Sequence, residues 1–341
     1  SMAGWAVVGD QWAKTNASNE VVSFAASDYV EQANPTLWTA TDNIKIIGPL
    51  SGNVPTATIA SLAFVSAESV TLDSYATLTI GSGGILANAN GSIDGDALLV
   101  GGQAANREIL AVVNGSNKLT IGARIGDTGV QAFTKVGTGT VELTGVNEHT
   151  GGTNIFGGVL EVTNDSNLGI AEKPINFNGG TLRILSTFSA SLALTRPIFL
   201  GTGGGAIDTN GFSFDAGVIS GDAALTKKSD GTLNLGYAST FTGGVVIEQG
   251  SVGFGASNHL GSSPGPVVFK GGALVVNATS GTVSINADHP FKFEGDGTVS
   301  VPTGVTLSSY TTGWSGTGTL TKTGQGMLAL GSSGTGHTGQ V

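Results

Sequence analysis

The chain has no cysteine, and only 11% of its 341 residues are charged. Without cysteine it has no disulfide, and no thiolate that could act as a nucleophile or a metal ligand. The lack of cysteine suits an exported protein, which then has no thiol to misoxidise. No run of 18 or more apolar residues is present, so the sequence contains no transmembrane helix.

Basic residues are scarce as well, and the formal net charge is −10. This balance makes nucleic acid and anionic membrane surfaces poor electrostatic partners. The hydrophobic fraction is 39%, too high for a disordered chain. Glycine is the abundant residue: 56 of 341 positions, or about 16% against a usual share of roughly 7%.

One stretch of the chain recurs at a fixed spacing. Its first copy is Phe133–Gly169 and its second is Leu225–Gly261, with equivalent landmarks 92 residues apart. A third copy, Leu320–Val341, breaks off partway through the unit, so we expect the array to continue beyond it. A period of about 92–95 residues indicates an architecture in which neighbouring units stack to bury a continuous core.

Each copy is built from short stretches that alternate apolar and polar residues, such as Val141-x-Leu143 and Leu160-x-Val162. Glycine-rich turns separate them, and no stretch of helix length carries an apolar stripe of helical period. The strands are about seven to fifteen residues apart, which suits coils of roughly 20 residues. Immunoglobulin-like modules have a similar period but need seven hairpin-type strands. We therefore predict an all-β parallel β-helix.

The inward-pointing residues are predicted from the same alternation. They are Leu143, Ile155, Leu160 and Val162 in the first copy and Leu235, Ile247, Val252 and Phe254 in the second.

The shared pattern, L-T-K-x-G-x-G-x-L-x-L-x-G followed by T-G-G-T and a closing L-G, resembles the autotransporter-associated β-strand repeat, or passenger-associated transport repeat. Such repeats occur in passenger domains of bacterial type V secreted surface proteins. The resemblance implies a right-handed parallel β-helix and export across the outer membrane through a β-barrel translocator outside this chain. It also implies a secreted or cell-surface location, and it supplies no catalytic residue.

Residues 1–50 differ in texture from the rest, because they hold three of the four tryptophans and fewer glycines. We predict an N-terminal cap or irregular first coils for 1–50 and the β-helix for 51–341. A carbohydrate-stacking platform made of Trp12 and Trp38 is the alternative for the aromatic residues. Ser1-Met2 resembles a tag-cleavage remnant, so we expect the chain to be an interior piece of a longer polypeptide.

Two segments related by the 92-residue offset are candidates for an adhesive surface, because weak binding repeated at each copy adds through effective concentration. We predict that they present polar faces to solvent, with the rings of His149 and Phe241 stacked on the coil surface. The candidate residues are Asn147, His149, Thr150, Ser239, Phe241 and Thr242.

Carboxylates supply the enzymatic alternative. Asp94 and Asp96 are two residues apart and would point to the same side of an extended segment, and Asp208 and Asp215 could lie nearby on adjacent coils. We expect all four to be surface turn carboxylates, because a site grafted on a repeat fold would break the repeat with a long polar insertion. Gly203–Asp208 partly matches a calcium-binding nonapeptide, but it lacks the fourth-position glycine and tandem copies. We predict no catalytic residue, no cofactor and no metal.

The sequence thus predicts a fragment of an autotransporter-like passenger, a non-catalytic stalk or adhesin that faces cells, glycans or matrix. One alternative is a polysaccharide-active β-helix enzyme, either a lyase or a glycosidase. Another is a self-associating surface filament or layer component. We expect the chain to be monomeric or weakly associated end to end, because an open strand edge can pair with another chain.

Overall fold

The structure is a computed structural model that describes residues 7–18, 20–102, 107–126, 129–186, 196–262, 264–285, 289–309, 313–331 and 336–338. It divides into two compact units, Ser1–Lys173 and Pro174–Val341. The predictions about the ends of the chain concern Ser1-Met2 and Val341. These residues lie outside the described ones.

The first unit consists of short strands joined by turns, with 3-10 helices at Ala26–Asp28, Pro35–Leu37 and Asp165–Leu168. Its strands are β1 (Val7–Val8), β2 (Gln11–Thr15), β3 (Val21–Ser23), β4 (Asn43–Ile46), β5 (Ala57–Ile59), β6 (Ser61–Phe64), β7 (Glu68–Thr71), β8 (Thr77–Ile80), β9 (Gly84–Ala87), β10 (Gly91–Asp94), β11 (Leu98–Gly101), β12 (Arg107–Val113), β13 (Lys118–Ile121), β14 (Arg124–Ile125), β15 (Gln131–Val136), β16 (Thr140–Leu143), β17 (Thr153–Ile155) and β18 (Val159–Val162).

From β4 onward the strands of the first unit stack in parallel. Their orders are β4-β6-β9-β12-β15-β17, β5-β8-β11-β14 and β7-β10-β13-β16-β18. Strands β6 to β14 visit the three sheets in rotation, so each pairs with the strand one coil away. Val141, for example, pairs with Leu119 on one side and Leu160 on the other.

The second unit has the same construction, with a 3-10 helix at Ser257–Leu260. Its strands are β19 (Ile175–Phe177), β20 (Thr181–Ile184), β21 (Ile198–Leu200), β22 (Gly205–Asp208), β23 (Ser213–Ala216), β24 (Ile219–Gly221), β25 (Leu225–Lys228), β26 (Thr232–Leu235), β27 (Val245–Ile247), β28 (Ser251–Phe254), β29 (Val267–Phe269), β30 (Ala273–Val276), β31 (Gly281–Ile285), β32 (Phe291–Phe293), β33 (Gly297–Ser300), β34 (Val305–Ser309), β35 (Trp314–Gly316), β36 (Leu320–Thr323), β37 (Met327–Leu330) and β38 (Gly336–His337).

Within the second unit the parallel stacks are β19-β21-β24, β20-β22-β25-β27-β29-β32-β35-β38, β23-β26-β28-β30-β33-β36 and β31-β34-β37. Leu233 pairs with Val252, which in turn pairs with Leu274. The predicted all-β parallel solenoid is confirmed in each unit, because from β4 onward pairing joins successive coils and not hairpin neighbours. The right-handed sense of the coil stays a prediction.

The core of each unit is a column of aliphatic and aromatic side chains between the sheets. All eight residues predicted to point inward do so, and each is at most 2% exposed. Because β-strand side chains alternate between faces, the stacked register places apolar residues on apolar residues at most inward positions.

The N-terminal strands β1, β2 and β3 pair antiparallel with one another. Trp12 in β2 is fully buried in an apolar cluster with Tyr29, Leu86, Leu110 and Val112, and so covers part of the sheet that holds β9 and β12.

The alternative of a carbohydrate platform made of Trp12 and Trp38 is wrong, since the two residues are 0% and 8% exposed. Parallel pairing within the coil already includes β4, which pairs with β6. The domain boundary at residue 50 stays a prediction.

Candidate functional site

The predicted adhesive segment of the first unit is a corner of the coil. Asn147 holds the corner together: its Oδ1 accepts a hydrogen bond from the Ile125 amide at 2.8 Å, and its Nδ2 donates to the Asn167 carbonyl at 2.6 Å. His149 is fully buried, with Nε2 3.0 Å from the Thr153 hydroxyl. That hydroxyl donates to the Leu168 carbonyl, so the His149 Nε2–H is the donor of the pair.

The second unit repeats this corner with different side chains. The Ser239 hydroxyl accepts from the Ile219 amide at 3.1 Å, replacing the first copy's asparagine, and Phe241 fills the buried position of the histidine. Gly261 closes the corner at φ +97°, where an added Cβ would lie 2.4 Å from the Phe241 carbonyl oxygen. The signature residues of the repeat therefore build the corner.

Burial corrects the predicted binding surface. Asn147, His149, Ser239 and Phe241 are at most 5% exposed, so the expectation that they face solvent is wrong. Along each corner, buried and outward-facing side chains alternate, so the residues next to these four point outward. Thr150 is half-buried and Thr242 is exposed, as are Glu148 and Thr240. Any partner that binds these corners meets the outward set only.

A second repeated feature, missed from the sequence, is a fully buried lysine in each matched copy. The Lys135 ammonium donates to three backbone carbonyls, those of Val136, Gly137 and Gly157, at 2.7, 3.0 and 3.2 Å. Its signal in the sequence was the alternation Phe133-x-Lys135, which places the lysine at an inward position just before a turn.

Lys227 occupies the same place in the second unit. Its ammonium donates to the carbonyls of Lys228, Ser229 and Gln249 at 2.6, 2.5 and 3.2 Å. Ser229 replaces the turn glycine of the first copy but keeps a positive φ of 58°, close to the 78° of Gly137. Such a φ is strained for serine. The turn holds Ser229 in this conformation. In both copies the carbonyl at this position, that of Gly137 or Ser229, accepts from the lysine ammonium.

Burial shifts both lysines toward the neutral form. Desolvation lowers the pKa of Lys135 to about 7. It lowers the pKa of Lys227 to about 8, against the opposing charges of Asp208 and Asp230. A buried amine with a low pKa is chemically reactive in other settings, but both amines here are fully enclosed by backbone. Their place in the fold indicates a structural role.

The carboxylates of the enzymatic alternative do not form a pair. Gly95, at φ +125°, interrupts the extended chain between Asp94 and Asp96, so the two do not share one strand. Asp208 lies in β22 and Asp215 in β23, which belong to different sheets of the second unit. The arrangement that the enzymatic alternative needs, with Asp208 and Asp215 together on adjacent coils, is therefore wrong.

Asp208 is instead an ion-pair partner. It is buried and accepts from the Arg183 Nε at 2.7 Å. Although burial opposes ionisation, hydrogen bonds from Ser229 and Arg183 hold the pKa of Asp208 below its ordinary value.

A different acidic pair, not foreseen from the sequence, lies in the first unit. Glu142 and Glu161 are register partners in β16 and β18, and the Lys118 ammonium lies 2.9 and 2.8 Å from their carboxylates. Burial works against the charge of Lys118, but its bonds to Glu161 and Glu142 raise its pKa. One cation thus joins three neighbouring coils. In the sequence, the spacing of Lys118, Glu142 and Glu161 by about one coil each was the feature that could have indicated this contact.

Among the described residues, no group of three or more histidine and carboxylate side chains is placed to hold a metal ion. Those residues also include no helix with the length and apolar character that a membrane span needs.

The geometry assigns the chain to the class of parallel β-solenoids. Its repeated residues form the corners, hold the turns and stack in the core. The Passenger-associated-transport-repeat model matches residues 133–162 and 225–252, the first parts of the two repeat cores. The chain is also 34% identical over 374 aligned residues to "Adhesin BmaC autotransporter" of Brucella suis biovar 1 (strain 1330). That alignment covers 97% of the chain and 11% of the relative, so the chain spans about a ninth of the relative's length. No solved structure matches the chain significantly.

These matches confirm the resemblance seen in the repeats and support a passenger domain of type V secretion. They indicate a secreted or cell-surface location.

Proposed function

We propose that the chain is a non-catalytic segment of an autotransporter passenger that takes part in adhesion, presenting its outer faces to the glycans, proteins or matrix of other cells. The observation that carries the proposal is the match of solenoid repeats to a passenger repeat, in a chain similar throughout to a protein named as an adhesin. Export would involve an outer-membrane translocator that these residues do not include.

The candidate contact surface is the outward set of the two corners. In the first unit it comprises Glu148 and Thr150, and in the second Thr240 and Thr242. Because the coil fixes these positions through buried neighbours, each corner presents two outward side chains at equivalent positions, with a threonine shared at the second of them. Two weak contacts to one cell surface add by effective concentration, which gives avidity without a deep pocket.

The experiment is adhesion of the whole chain, coated on beads, to cultured cells. Four alanine substitutions, at Glu148, Thr150, Thr240 and Thr242, are expected to lower bead retention at least fivefold, and each corner alone by less. Replacing exposed Thr279 and Ser280 by alanine is the matched control and should change nothing. Wild-type retention no better than that of uncoated beads would refute the adhesive role. Retention that survives all four changes would refute the corner surface.

A further inference from the structure

An open groove of about 390 Å³ lies on the second unit, over the outer face of strands β20, β22 and β25, with Glu248, just after β27, at its edge. It exists because three successive turns carry almost no side chains: Gly179-Gly180, Gly203-Gly204 and Ala223-Ala224 all line it. Gly204, at φ +68°, faces the Ala224 carbonyl, and a Cβ there would lie 2.9 Å from that oxygen. The small residues leave the groove open and bring backbone groups to its wall.

The strand register sets the groove's floor. Thr181 pairs with Ala206, and Ala206 with Thr226, so these three side chains form one outward row across neighbouring coils. Leu182, the next residue along β20, is fully buried in the core. Alternation therefore turns Thr181 outward, into the groove.

The Thr181 hydroxyl is the second observation that points to a ligand. Thr181 is only 8% exposed, yet its hydroxyl makes no hydrogen bond within the described residues. Because the hydroxyl faces the open groove and not the core, its donor and its acceptor are both available to a molecule that occupies the groove. Thr202, on the groove's wall, contacts the Asn178 side chain only at 3.5 Å.

The groove is lined by two charged side chains, the donor Lys228 and the acceptor Glu248. Asp208 is neutralised by Arg183, whereas Lys228 and Glu248 line the groove and form no ion pair within 4.0 Å among the described residues. The groove thus offers an ammonium, a carboxylate, threonine hydroxyls and backbone groups, with charges that cancel. Among its lining residues there is no aromatic ring.

These groups suit a polyol. A carboxylate can accept from two neighbouring hydroxyls, and an ammonium and threonines can bond to others. The net charge of −10 opposes a polyanion, and the lining offers little to an apolar ligand. The volume is at the lower end of small-molecule sites. We propose that this groove binds a short neutral oligosaccharide. The proposal rests on the adhesive role above and gives that role a binding site and a class of ligand.

The test is saturation-transfer NMR and calorimetry on the whole chain with cellotriose, galactotriose and chitotriose, and with trigalacturonate as the anionic counterpart. We expect at least one neutral trisaccharide to bind with a Kd near the millimolar range, and trigalacturonate at least tenfold more weakly. No binding of any neutral trisaccharide, or tighter binding of trigalacturonate, would overturn the proposal.

Variants locate the site. Thr181→Val removes only the unpaired hydroxyl and should weaken binding at least fivefold, as should Lys228→Gln. Matched controls on the same unit, Thr232→Val and Lys270→Gln, should bind as the wild type does. Ala206→Phe should fill the groove and abolish binding. Equal binding by Thr181→Val, Lys228→Gln and the wild type would place the ligand elsewhere.

The groove and the adhesive role can fail separately. A wild-type chain that adheres to cells but binds no trisaccharide refutes the groove and leaves adhesion standing. A chain that binds a trisaccharide through Thr181 but never adheres to cells refutes the adhesive role and leaves the groove.

Discussion

Replacing the buried lysine of the first unit tests the repeat most directly. Lys135→Met keeps the length and packing of the side chain but removes the ammonium that donates to three carbonyls at 2.7–3.2 Å. Each buried acceptor left unpaired costs about 1–3 kcal/mol. Against this, the variant no longer has to desolvate a charge, a penalty of several kcal/mol. We expect a net loss of about 2–4 kcal/mol in the free energy of unfolding at pH 7.

The loss should depend on pH with a definite sign. Burial lowers the pKa of Lys135 to about 7 in the folded chain, whereas an unfolded lysine titrates near 10.5. Between these values the unfolded chain binds the proton more tightly, so wild-type stability rises with pH, by at most about 1.4 kcal/mol per unit. Lys135→Met lacks this contribution. The stability gap between wild type and variant should therefore widen from pH 6 to pH 9.

The assay is urea denaturation followed by circular dichroism at both pH values. Lys322→Met is the matched control, since Lys322 holds the same repeat position but is exposed, with carbonyl contacts at 3.2 and 2.7 Å. It should cost less than about 1 kcal/mol at either pH. The reasoning fails if the control costs as much as Lys135→Met, or if the gap narrows as the pH rises.

Three further outcomes are expected. Leu235→Asp should cost several kcal/mol in the same denaturation assay, because it buries an unpaired charge in the stacked core. Gly261→Ala should lower the urea midpoint clearly, since its Cβ would clash with the Phe241 carbonyl at a φ of +97°, and a midpoint equal to wild type would contradict the corner geometry. The chain should show no turnover on a polysaccharide panel, and activity that disappears in Asp94→Asn or Asp208→Asn would revive the enzymatic alternative.

The repeat spacing and strand alternation were enough to predict the solenoid. Leu143 and Leu235 could be placed inward because a period of two allows only one face to be apolar. Alternation also applied to the corners, but there the polar character of Asn147 and Ser239 was taken as exposure. A polar side chain can be buried when it bonds to backbone, and both do so.

The groove could not be predicted from the sequence, for a different reason. Thr181, Ala206 and Lys228 come together only through the register of separate coils, and a one-residue shift in pairing would scatter them. The glycines of its walls were visible, but in a chain so rich in glycine they carried no distinct signal. The two buried lysines were visible as well, at matching positions, and only their enclosure was not.

Each buried lysine bonds to a carbonyl 22 residues further along the chain, in the following coil. For each lysine, the carbonyl partner thus lies in the next coil to be made, and the Lys118–Glu161 contact reaches only two coils on. Closing a loop of this length costs little entropy, and stability accumulates one interface at a time. A polypeptide delivered end first, as a thread through a narrow opening, can therefore become ordered as it emerges. No coil has to wait for the far end of the sequence.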